Sequence, residues 1–186
     1  MDLASSVKNG ISAGQLQLWQ TLCRLWSDHV MWTRSLIVCM AFDLPDQIDV
    51  TRRLLRNPAD FADVLRSYYS SSAATGFQRF LTNHLSIAGQ LVSAQKLENS
   101  RAARELCTKW NENSDAFAQF LRSINPFWSE TEWREYLYGL RTATLGAAGD
   151  ILTGRYESSI GKHQLVQAAA LKMADCMARG IISQFK

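Results

Sequence analysis

The chain has 186 residues, 47% hydrophobic and 20% charged, a composition that excludes disorder and suits a globular protein. Its net charge of +3 is too mild to imply a nucleic-acid or membrane-surface partner, so neither is expected. Residues 1–11 read as a flexible N-terminal segment without the basic and apolar regions of a signal peptide, and the most apolar stretch, Leu36 to Phe42, is too short to span a bilayer.

Ser12 and Gln15 form a capping-box pattern that opens a long helix from about residue 12 to 42. Its apolar seam runs Leu18, Leu22, Leu25, His29, Trp32, Leu36 and Cys39, in alternating steps of four and three. Asp43-Leu-Pro-Asp46 ends it. Two short helices are expected next, one over about 46–56 and one from Asn57-Pro58 to Tyr69, with Asn57 as N-cap and Pro58 in the first turn. The following helix, about 74–97, carries Phe77, Phe80, His84, Ile87, Leu91 and Ala94 on its seam. A short turn at 98–100 leads into a helix of about 100–123, with Ala103, Leu106, Trp110, Asn113, Phe117 and Phe120. Such a turn makes the two helices antiparallel neighbours.

Ser129 and Glu132 form a second capping box, opening a helix expected to reach about residue 140. The last third has two readings. The preferred one breaks near 142–144 and continues as one long helix to the C-terminus. The other breaks at Thr153-Gly154, because glycine commonly ends helices. The fold expected from these elements is all-α: an antiparallel up-and-down four-helix bundle with additional short helices, forming one domain over residues 1–186.

The four cysteines, Cys23, Cys39, Cys107 and Cys176, have no metal-ligand spacing. They read as buried thiols in a reducing, cytoplasmic compartment. The informative feature is that all three histidines, His29, His84 and His163, fall on core-facing seams, as does Asn113. A polar group at such a position needs a partner. His84 stands as far before the turn at 98–99 as Asn113 stands after it, and His29 falls near the same height. Trp110 and Phe117 would wall such a layer. A last helix starting near 142 brings Tyr156 to this level, and one starting near 154 brings His163.

The candidate ligand-binding residues are therefore His29, His84, Trp110, Asn113, Tyr156 and His163, with His29 and His84 as candidate metal ligands. Imidazoles on facing helices suit a transition metal such as iron or zinc. The spacing argues against it: Trp26, Leu81 and Ile160 stand three residues before the histidines, where di-iron bundles place Glu. Arg52, Arg53 and Arg56 form a basic row, which reads as a solvated face. No nucleophile elbow, phosphate loop or dinucleotide fingerprint occurs.

Several segments together resemble an uncharacterised family of bacterial helical-bundle proteins. They are His29-Val-Met-Trp-Thr-Arg34, Leu54-Leu-Arg-Asn-Pro-Ala-Asp-Phe61, Leu81-Thr-Asn-His84, Ser123-Ile-Asn-Pro-Phe-Trp128, Leu152-Thr-Gly-Arg-Tyr156, Ala170-Leu-Lys-Met-Ala-Asp175 and Gly180-Ile-Ile-Ser-Gln-Phe185. The resemblance implies a bundle and a bacterial source, and no particular reaction. It also implies acidic residues beside the first two histidines, where this chain has Ser27 and Asn83, so a carboxylate–histidine metal site would be weakened. Likeness to ferritin-like and hemerythrin-like proteins stops at the bundle. The primary functional expectation is a bundle, more a binding protein than an enzyme, with a polar, histidine-bearing core pocket for a metal ion or small ligand. The alternatives are a structural protein that dimerises through its aromatic-rich helices, and a metal-dependent oxidoreductase.

Overall fold

The computed structural model describes residues 11–185, so residues 1–10 of the expected N-terminal segment lie outside it. Among the described residues the fold is all-helical: α1 (Ala13–Phe42), α2 (Gln47–Leu65), α3 (Ser71–Lys96), α4 (Ser100–Ile124), α5 (Glu130–Leu152) and α6 (Tyr156–Gln184). Each helix packs on the next and α6 returns to α1, while α1, α3 and α5 touch across the middle. Six helices of 19 to 30 residues thus replace the expected four long helices with short additions. None of the described helices is long and apolar enough to cross a membrane.

The caps follow the sequence signals. Ser12 and Gln15 bond reciprocally at the start of α1, and Asp43 ends it in a left-handed conformation. Ser70, Asn99 and Ser129 each accept a backbone N–H at the starts of α3, α4 and α5.

Two expected boundaries are corrected. The first is α2, one continuous helix rather than two. Pro58 lies inside it, and Asn57 does not cap. Asn57 and Pro58 are fully inside the protein, and the Asn57 side chain bonds α1 instead. Tertiary packing thereby offsets the backbone bond that proline cannot make.

The second correction is the last third. The preferred long helix from residue 142 does not form; α5 runs to Leu152, well beyond the expected residue 140, and the chain turns at Gly154. Gly154 takes φ of +74°, open to glycine at little cost. The turn is locked by Asp150 at the end of α5. Its buried carboxylate accepts bonds from Lys162 (2.5 Å), Ser158 (2.6 Å) and Arg155 (3.0 Å), all at the start of α6. Those bonds, that from Lys162 foremost, hold the Asp150 carboxyl well below the usual carboxylate range.

The main core is built on large aromatics. Trp26, Trp128 and Trp133 are enclosed beside Phe61, Phe77 and Phe117, with leucines of α1 and small residues of α6 between them. Trp128 lies against Gly180 of α6 and donates its indole N–H to the Cys176 carbonyl at 3.2 Å.

Candidate functional site

The expected polar layer exists, with a different membership. His29 on α1 and His84 on α3 are 2% and 3% exposed, with ring centroids 5.9 Å apart and planes at 49°. Trp26 meets His29 edge-on at 5.4 Å, and Trp110 of α4 meets His84 edge-on at 5.0 Å. Trp110 therefore lies against the histidine pair.

The partners of the two rings determine their chemistry. Asn57 Nδ2 donates to the Leu25 carbonyl at 3.0 Å, which turns Asn57 Oδ1 toward His29 Nδ1 at 3.2 Å. An amide oxygen only accepts, so His29 carries its proton on Nδ1 and keeps a lone pair on Nε2. His84 is reversed. Trp110 Nε1, which can only donate, bonds His84 Nδ1 at 2.9 Å. A neutral His84 must then hold its proton on Nε2. Both rings are neutral: burial pulls His29 down to about 4, and burial with a charge on His29 pulls His84 down to about 3.

A cavity of about 10 Å³ lies against both rings, lined also by Thr33, Leu140, Thr144 and Val166. That is room for one water molecule. Thr33 Oγ1 donates to the His29 carbonyl at 2.7 Å and retains its lone pairs. Thr144 is buried, and no hydrogen bond of its hydroxyl falls among those of the described residues. The residues that line it thus carry a donor at His84 Nε2, acceptors at His29 Nε2 and Thr33 Oγ1, and a hydroxyl of either sense at Thr144.

The other expected members stand elsewhere. Asn113 is only partly buried and donates to the Phe80 carbonyl at 3.2 Å. Tyr156 is 54% exposed and leans on Phe42, ring centroids 6.2 Å apart. It leaves the layer because it opens α6 after the Gly154 turn. His163 is partly buried and faces an open groove of about 670 Å³ between α1, α2 and α6, beside Arg34 and Gln167. Burial and the Arg34 charge lower its pKa.

Asn57 and Thr144 were the residues missed. Asn57 was legible: Val50, Leu54, Asn57, Phe61 and Leu65 make a seam in steps of four and three once α2 is continuous. Thr144 was obscured by the expected break at 142–144.

The donor set does not fit iron or zinc. Among the described residues no group of three or more His, Cys, Asp or Glu side chains comes together to hold a metal ion. His84 also presents an N–H where a ligand needs a lone pair. The cysteines are unpaired, and burial first of all raises the thiols of Cys23, Cys39 and Cys176. Such thiols are poor nucleophiles. The basic row on α2 is matched by acids: Arg52 pairs with Asp49, Arg53 with Asp28 and Asp60, and Arg56 with Asp60. Comparison with family models, curated proteins and solved structures returns no match.

Proposed function

We propose that this chain is a non-enzymatic helical-bundle protein whose core holds one water-sized, hydrogen-bonding ligand between His29 and His84. The observation that carries this reading is the pair of partners facing the rings, an amide oxygen at His29 Nδ1 and an indole N–H at His84 Nδ1, which call for opposite tautomers. One imidazole offers a donor, the other an acceptor, and the cavity between them takes a single small molecule. The site favours a neutral ligand over a metal ion, because burial resists charge on either ring. Four unpaired thiols, Cys39 and Cys176 buried and Cys23 and Cys107 only partly so, and paired surface arginines accord with a cytoplasmic protein that does not bind nucleic acid.

Nitrogen-15 NMR of the imidazoles tests it. His29 should show Nδ1–H and His84 should show Nε2–H from pH 5.5 to 8. An imidazolium at neutral pH, or both rings in the same tautomer, would sink the proposal. Stoichiometric metal in protein purified without chelator, lost in His29→Ala, would move the assignment to a metal site.

The dimerisation reading has one observation in its favour. Phe42 and Tyr156 form an exposed aromatic pair, and Leu44 and Ile48 nearby in sequence are exposed as well. Light scattering over a wide concentration range tests it: a strictly monomeric protein removes this reading.

A further inference from the structure

The groove at the surface and the cavity at the histidine pair have only Val30 in common. A third cavity, also about 10 Å³, has lining residues in common with both. It shares Val30, Arg34 and His163 with the groove, and Val30, Thr33, Thr144 and Val166 with the histidine cavity. The third cavity therefore stands between the groove and the buried rings, separated from each by the side chains they share. Polar side chains stand at each junction: Arg34 and His163 at the outer one, Thr33 and Thr144 at the inner one.

We propose that Arg34 and His163 form the mouth of a polar passage that delivers a neutral, water-sized molecule from the groove to His29 and His84. The proposal rests on the core-site reading above and adds the route and its selectivity. Arg34 donates to Ser159 Oγ at 3.1 Å rather than to a carboxylate, and Asp28 and Asp46 line the same groove, so the mouth carries both signs of charge and favours neither ion. A neutral hydrogen-bonding molecule finds a relay of donors and acceptors at each step, from His163 to Thr144 and Thr33 and then to the two rings. Ala147 and Ile151 of α5 form the apolar wall of the middle cavity, and Ala147 leaves it open by being small.

Water is the probe. Oxygen-17 relaxation dispersion on the full chain reads the residence time of buried water, and water NOEs to His29 Hε1 and the Thr144 methyl identify the molecule at the site. Ala147→Val narrows the passage without touching the rings and should lengthen the residence time about tenfold, while Arg34→Ala should shorten it by a similar factor, at unchanged global stability. No ordered water at His29 overturns the core-site reading. Ordered water with the same residence time in both variants overturns the passage and leaves the core site standing. A shortening in Arg34→Ala that merely tracks a loss of stability in urea also overturns it. If Ala147→Val fails to fold, Arg34→Ala with its stability control decides.

Discussion

Asn57 and Trp110 act on the histidines through single hydrogen bonds, and each is replaceable in a way that isolates its role. Asn57→Leu removes the acceptor from His29 Nδ1–H, leaving that buried group without a partner, while the Leu25 carbonyl keeps its bond within α1. Such a group costs about 1–3 kcal/mol, and urea unfolding should show a loss of that size. Trp110→Phe keeps most of the ring contact with His84 but removes its donor. The loss should be about 1–3 kcal/mol, and His84 should then populate both neutral tautomers in its nitrogen-15 spectrum. A single unchanged tautomer in that variant would show that Trp110 does not set the protonation of His84.

Helix packing is tightest where α6 passes the loop before α5. A Cβ on Gly180 would stand 2.0 Å from Trp128 Nε1, and the indole is fully enclosed. Gly180→Ala should therefore destabilise by about 1–3 kcal/mol through overpacking. Gly139, exposed and mid-helix in α5, has nothing within 4 Å of the same position. Gly139→Ala should instead stabilise by roughly 0.5–1 kcal/mol, because alanine loses less backbone freedom. Thermal melts of the two variants should move in opposite directions. The α5–α6 turn is the other rigid joint, where one buried carboxylate at the end of α5 holds Arg155 of the turn and Ser158 and Lys162 of α6.

Acid stability is a property of the whole molecule, and its two windows come from two places. Folded His29 and His84 titrate near 4 and 3, below the unfolded value of 6.5. The unfolded chain therefore takes up protons first as pH falls. Their contribution is complete above 6.5 and declines below it, by about 1.4 kcal/mol per pH unit for each ring. Between pH 6 and 4.5 the urea midpoint should drop as His29, His84 and, through its own lowered pKa, His163 take up protons on unfolding, and His84→Phe should lower the proton count by about one. Asp150 acts lower. Its folded pKa is depressed, so its contribution is present above the usual carboxylate value and disappears as pH falls below about 4. Asp150→Asn should leave the upper window intact. A flat stability profile from pH 7 to 5 would contradict neutral, buried imidazoles.

Local chemistry and periodicity determined much of this protein. Capping residues and seam spacing placed α1, α3 and α4 to within a few residues, because those signals act over one or two turns. The same spacing put His29 and His84 inside and at one level, and put Asn113 there too, although Asn113 is only partly buried and bonds the Phe80 carbonyl. Tertiary structure decided the rest. Asn57 reads locally as a cap, yet a carbonyl and an imidazole on α1 hold it inside a continuous helix. The last third could be one helix or two by local preference, and long-reach bonds to Asp150 favour two, which sends Tyr156 to the surface and His163 to the groove. Which nitrogen of each histidine carries the proton is decided only by what faces it across the core. That fact lies in the contacts between helices and in none of the helices alone.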